Sequence, residues 1–155
     1  MKRLFLVTII FLSSLFTLQA QDSSEGIEYK VITTVESIVP AGVGRSRIIE
    51  NKESVNVNEY TTERTNGKKS NQGDIKRSDA KIENFAETKL LNFYSLTGIN
   101  FQNIASNDAL ISSKLNQLAQ EGWELMYVTS GVESDSGETD GSGIFITRFI
   151  FKRNK

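Results

Sequence analysis

Residues 106–130 change their period at a single glycine. Ahead of Gly122, Ile111, Leu115 and Leu118 recur at spacings of four and three, which is one face of an α-helix. After it, Trp123-Glu124-Leu125-Met126-Tyr127-Val128-Thr129-Ser130 reads as a strand, with Trp123, Leu125 and Tyr127 on one face and Met126 and Val128 on the other. A helix is expected over 107–121. Ser106 or Asn107 serves as its cap, because a side-chain oxygen there accepts from an unpaired backbone N–H. Asp108 suits the positive end of the helix dipole. Gly122 ends the helix in the left-handed conformation, which places Trp123 two residues past the cap, where it packs back on Leu118.

The other elements follow from period two. In Ile27–Glu36, Ile27, Tyr29, Val31, Thr33 and Val35 share one face, and Glu28, Lys30, Ile32, Thr34 and Glu36 the other; this is a half-buried strand. Pro40 ends it, and Arg45–Glu50 reads as a second strand. Gly143–Lys152 is a further strand, with Phe145, Phe149 and Phe151 opposite Ile144, Ile146 and Ile150. Apolar residues on both of its faces imply a central strand or a second covered face. The expected fold is α+β: a mostly antiparallel sheet of strands 27–36, 45–50, 123–130 and 143–152, with one main amphipathic helix packed on a face. A polar excursion or long loop spans 51–87. Within it Ser54–Tyr60 reads as a strand extension, and Ile75, Ile82 and Phe85 as a weak helical pattern. Thr88-Lys89-Leu90-Leu91-Asn92-Phe93-Tyr94-Ser95-Leu96 regains apolar density as a strand.

The first twenty residues stand apart from this single domain at 27–155. Lys2 and Arg3 precede an apolar run from Leu4 to Leu18, which ends at Leu18-Gln19-Ala20. That is the layout of a secretory signal peptide, and Ser13, Ser14 and Thr17 interrupt it too often for a membrane anchor. Residues 21–26 form a flexible start. The expected location is the periplasm or the exterior of a bacterium. Cleavage before Gln21 removes two of the 18 basic residues and none of the 19 acidic ones, leaving a net charge near −3. That balance gives no general attraction to nucleic acid or to anionic lipid.

The 155 residues contain neither cysteine nor histidine. An exported chain without cysteine has no disulfides, so its core alone must hold it together. The two absences remove Cys or His nucleophiles and bases, the Ser-His-Asp triad, and the ordinary zinc and haem sites. No cofactor motif is present.

Three constellations remain. Pro40-Ala41-Gly42-Val43-Gly44-Arg45-Ser46-Arg47 has the glycines of a phosphate loop, but Ile48-Ile49 favour a strand after it where such a loop needs a helix, so it reads as a turn. Arg45 and Arg47 project from one strand face, and together with Arg148 they would hold a small anionic ligand if the fold brought them together. In Ser134–Gly143, the acids Asp135, Glu138 and Asp140 are candidate calcium ligands. Their spacing fails the EF-hand pattern, and the composition equally suits an exposed hairpin connection. Glu121, Glu124, Asp135 and Asp140 are the carboxylates available to a hydrolase of an envelope polymer, which would require two of them to converge in a cleft. Trp123 and Tyr127 fit stacking on a sugar if exposed, and core packing if not.

Tyr29-Lys30-Val31-Ile32, then Leu115–Val128 with its Glu121-Gly122-Trp123-Glu124-Leu125 turn, then Phe149–Arg153 ending in Phe151-Lys152-Arg153, resemble the small bacterial family catalogued as domain of unknown function 4177. The resemblance implies a compact β-α-β-β unit and carries no activity. It covers about a third of the chain, and about seventy residues separate the first strand from the helix here. The function these features support is a non-catalytic binding or assembly module. Its partner would be a protein or a small anion, or a second copy forming a homodimer.

Overall fold

The computed structural model describes residues 26–38, 45–95, 97–133 and 143–155. Two compact units are present. Tyr29–Arg153 holds the core, and the described residues of the other unit are 26–28 and 154–155, where the Lys155 N–H donates to the Gly26 carbonyl at 2.9 Å.

Among the described residues the strands are β1 (Ile27–Ser37), β2 (Arg47–Asn51), β3 (Phe85–Lys89), β4 (Tyr94–Ser95), β5 (Gly98–Ile99), β6 (Glu124–Glu133) and β7 (Ile144–Asn154), and the α-helix is α1 (Phe101–Gln120). The main sheet has five strands in the order β3-β2-β1-β7-β6, and β4 and β5 form a separate two-stranded ribbon. The β1–β2, β2–β3 and β6–β7 pairs are antiparallel. At the β1–β7 seam the Ile38 N–H donates to the Gly143 carbonyl at 3.1 Å, so the end of β1 meets the start of β7. An α+β fold with a mostly antiparallel sheet and one main helix is what the sequence predicts. β7 is an interior strand, between β1 and β6, as its two apolar faces imply.

The main helix is longer than expected. Asn100 is the cap, its side chain accepting from the Asn103 N–H at 3.1 Å, in place of Ser106 or Asn107. Asn107 instead continues the Ile111–Leu115–Leu118 stripe inward and is fully buried. A capping residue type at a core position misleads a reading from the sequence, because its side-chain partners come from distant segments. The C-terminal end is as expected. Gly122 takes a φ of +85°, the Gly122 N–H donates to the Ala119 carbonyl at 3.0 Å, and the Trp123 N–H donates to the Leu118 carbonyl at 2.9 Å. This double closure pulls the chain back on itself and sets Trp123 against Leu118 in the core.

The polar excursion contains three short 3₁₀ turns, Val57–Tyr60, Thr65–Gly67 and Asn71–Asp74. Val57–Tyr60 replaces the strand extension expected at 54–60. No helix forms around Ile75, Ile82 and Phe85. Phe85 opens β3, a fifth strand of the sheet that polar alternation hid. The strand expected over 88–96 is divided: Thr88 and Lys89 end β3, Leu90 turns into the core, and Tyr94–Ser95 forms β4.

The core lies between α1 and one face of the sheet. Ile32, Ile48, Leu90, Leu118, Trp123 and Phe151 are buried there, with Ile111, Leu115 and Phe149 packed against them. By default a half-buried strand turns its more apolar face inward, yet β1 does the reverse. Ile32, Thr34 and Glu36 are buried, while Tyr29 and Val31 stay about half exposed, at 60% and 46%.

Candidate functional site

Two buried carboxyls sit under the helix. Glu50 on β2 is 3% exposed and is reached by three lysines, one on β1, one on α1 and one just past β2. Lys30 of β1 and Lys52 donate to its Oε1 at 3.1 and 2.9 Å, and Lys114 of α1 donates to its Oε2 at 2.6 Å. Burial alone pushes this carboxyl up, and the three ammonium groups together reverse the effect and hold it at about 2. Trp123 lies beside this cluster. The Lys30 Nζ is 4.8 Å from its ring centroid and the Arg153 Cζ is 4.3 Å away, within cation–π range. Glu50 is thus a saturated, ionised strut between helix and sheet, not a proton donor.

Glu36 near the end of β1 has the opposite character. Burial pushes its carboxyl up, the Asn107 amide donating to Oε1 at 2.9 Å pulls it down, and the nearby Asp108 charge pushes it up again. Asn107 also brackets Leu91, accepting from its N–H at 2.7 Å and donating to its carbonyl at 2.7 Å. Ser46 and Asn92 continue the network, with the Ser37 N–H donating to the Ser46 Oγ at 2.9 Å and the Ser46 Oγ to the Asn92 Oδ1 at 3.1 Å. These bonds clamp residues 90–93 between β1, β2 and α1. The residue types give no sign of such a network, since each partner is distant along the chain.

The opposite face of the sheet carries no layer of described residues. Strand pairing assigns its members. Tyr29, Val31, Thr33 and Val35 of β1 neighbour Ile49 and Arg47 of β2, which pair with Glu87 and Lys89 of β3. On the other side Ile150, Arg148, Ile146 and Ile144 of β7 pair with Tyr127, Thr129, Gly131 and Glu133 of β6. Tyr29, Val31, Phe85 and Tyr127 are between 45% and 62% exposed. A contiguous apolar face of this kind marks an interaction surface more often than bare solvent exposure. Its charges lie mostly at the margins, where Arg47 pairs with Glu87 and Lys152 with Glu124 at 3.3 Å. Gly131 leaves a hollow bounded by Thr129, Glu133, Ile146 and Arg148.

A bulge between Leu125 and Tyr127 corrects the sequence reading of β6. Leu125 pairs with Phe151 and Tyr127 with Ile150, so Leu125 and Tyr127 fall on opposite faces. Trp123 is core, at 4% exposure, and Tyr127 alone stays out.

The other candidates distribute as follows. Arg47 and Arg148 share the open face but stand on β2 and β7 with β1 between them, roughly 10 Å apart at the backbone. Arg45 precedes β2 and is exposed. The strand that follows Arg45 is that of a turn-and-strand unit and not of a phosphate loop, whose glycines lie outside the described residues. Asp135, Glu138 and Asp140 also lie outside them, between two strands that pair antiparallel as a hairpin connection requires. Glu121 accepts from the Gln117 Nε2 at 3.0 Å, Glu124 pairs with Lys152, and both are exposed. Among the described residues no group of three or more acids is placed to hold a metal ion, and no helix is long and apolar enough to cross a membrane. Comparison with protein-family models, with curated proteins and with solved structures found no match.

Proposed function

We propose that this chain is an exported, non-catalytic binding or assembly module of a bacterial periplasm or cell surface, and that it engages a protein through the open sheet face. The observation that carries the reading is the inversion of β1. A sheet that buries Glu36 and Glu50 under its helix while leaving Tyr29, Val31, Tyr127 and Phe85 outside spends its apolar side chains on a surface that water should not keep. Export rests on the basic and apolar leader at 1–20. Kinship with the domain of unknown function 4177 family belongs to the same reading, and the Glu121–Leu125 turn, closed as that motif requires, supports it. The absence of cysteine and histidine, and the use of the two buried carboxyls as internal struts, favour binding over catalysis.

A photo-crosslinking residue placed in turn at Val31, Tyr127 and Glu63 of the full chain, expressed in an exporting bacterium, tests this. Val31 and Tyr127 should give protein adducts and Glu63, in the polar excursion, none. The mature protein should begin at Gln21 by mass spectrometry. Equal labelling at all three positions, or a chain that keeps residues 1–20, would refute the surface or the export respectively.

A further inference from the structure

We infer that the open sheet face receives an acidic segment of a partner protein, which sets carboxylates over Arg47, Lys89 and Arg148 and apolar side chains over Val31, Ile150 and Tyr127. The inference rests on the reading of that face as an interaction surface and names the chemistry of its occupant.

The first support is the order of residues on the face. The Ile38–Gly143 bond joins the end of β1 to the start of β7, so the two strands run antiparallel. Its register puts Val35 beside Ile146, Thr33 beside Arg148 and Val31 beside Ile150. The same register brings Ile32 beside Phe149, and both pack in the core. Pairing on the outer strands extends these rows. Lys89 and Arg47 stand in the row of Val35, and Arg148 stands in the next row, two strands away from Arg47. Tyr127 joins the row after that, with Ile150 and Val31. A cationic band therefore crosses the sheet, and an apolar band lies directly beside it.

The second support is what the cationic band costs the fold. Lys89 pairs directly opposite Arg47. Like charges so placed destabilise a sheet. Glu87 pairs with Arg47 and relieves one of the two. Among the described residues neither Lys89 nor Arg148 has an ion-pair partner. The band is thus basic on a chain whose acids outnumber its bases. A local conflict that the fold keeps without relieving it marks a place with a use outside the fold.

The third support is the chemistry that would relieve it. A hollow of about 400 Å³ adjoins Arg47, Glu87, Lys89 and Ser46, and one of about 350 Å³ adjoins Arg148 at Gly131. Each has room for an aspartate or glutamate side chain, and a guanidinium holds a carboxylate through two parallel hydrogen bonds. With β1 between them, the two positions call for carboxylates roughly 10 Å apart, close to two turns of a helix. A free anion would leave the apolar band bare. Nucleic acid would meet few bases, on a chain of net negative charge. A protein segment covers both bands, and it must bring its own acids, because covering an unpaired charge is costly.

Selection of random displayed peptides on the mature protein, purified from exporting cells, tests the inference. The enriched sequences should carry at least two acids among apolar residues. The best of them, synthesised and labelled for fluorescence anisotropy, should bind about tenfold or more weakly to Arg148→Glu and to Lys89→Glu, and more weakly as salt rises. Both positions are exposed, and an unchanged near-ultraviolet spectrum of Trp123 verifies that the variants fold. No enrichment, enriched peptides without acids, or an acidic peptide indifferent to both substitutions overturns the inference. Displacement of the peptide by inorganic phosphate, beyond that by chloride at equal ionic strength, identifies a phosphate site and overturns it as well. The crosslinking experiment separates the two claims. Protein adducts at Val31 and Tyr127 that persist undiminished in the doubly substituted chain reject the acidic segment and keep the surface. No adduct at Val31 or Tyr127 rejects both.

Discussion

Replacing Glu50 by glutamine tests the account of how helix and sheet are joined. The carboxylate is the only acid among the four groups of its cluster, and Lys114, its closest partner at 2.6 Å, is the link to α1. Its pKa falls from 4.5 to about 2 on folding. One pKa unit corresponds to about 1.4 kcal/mol, so the ionised form is favoured in the folded protein by about 3 kcal/mol. The sign follows from proton counting. Between the folded and unfolded values the unfolded chain binds more protons, so stability rises with pH there. The contribution is fully present above 4.5 and is lost as pH falls through about 2. Glutamine keeps the shape and removes the charge, leaving three ammonium groups without their common anion. The expected cost near neutral pH is about 3 kcal/mol, shrinking toward zero in strong acid. Urea unfolding of the mature wild type and Glu50→Gln, repeated from neutral pH down to about 2, measures it. A penalty under about 1 kcal/mol at neutral pH, or one that does not change with pH, would show that the lysines are solvated neighbours and not ligands of a buried anion. Within the cluster, Lys114→Met should cost more than Lys52→Met, because Lys52 is 44% exposed and its pairing is screened by water.

Two further predictions concern the other devices of the fold. Glu36→Gln should raise the melting temperature at neutral pH, since the folded-state pKa of Glu36 is raised and the native protein loses stability as pH rises through it. The difference should vanish below 4.5, and a variant less stable than wild type at neutral pH would contradict the assignment. Gly122→Ala meets nothing within 4 Å of the added carbon, so its cost is backbone strain alone at φ +85°, about 1 kcal/mol by urea unfolding. No loss, or a gain from stiffening the unfolded chain, would mean the left-handed closure is dispensable.

Local physics settled much of this fold in advance. The 3.6-residue stripe through Ile111, Leu115 and Leu118, the glycine that must go left-handed, and the alternation at 27–36 and 143–152 are properties of short segments. Each was recovered where it was expected. The candidate surface was partly visible as well, in the two apolar faces of β7 and in Arg148, which needs either a partner or an exposed sheet face. What remained hidden depends on partners far away in the chain. Asn107 looks like a cap until Glu36, seventy-one residues earlier, and Leu91 claim its amide. Leu125 and Tyr127 look like neighbours on one face until a single bulged residue separates them.

The sequence by itself therefore determined the main helix, the strands around 27–36, 45–50, 123–130 and 143–152, their order and the helix-to-strand closure at Gly122, because those follow from the φ preferences and side-chain periods of a few adjacent residues. Only the tertiary structure decided which face of the sheet the helix covers. Period two makes the two faces of β1 nearly interchangeable to local energetics. The choice falls to the inward side because Lys114 and Asn107 on the helix satisfy Glu50 and Glu36 there. That leaves Tyr29 and Val31 on the surface, where a partner can reach them.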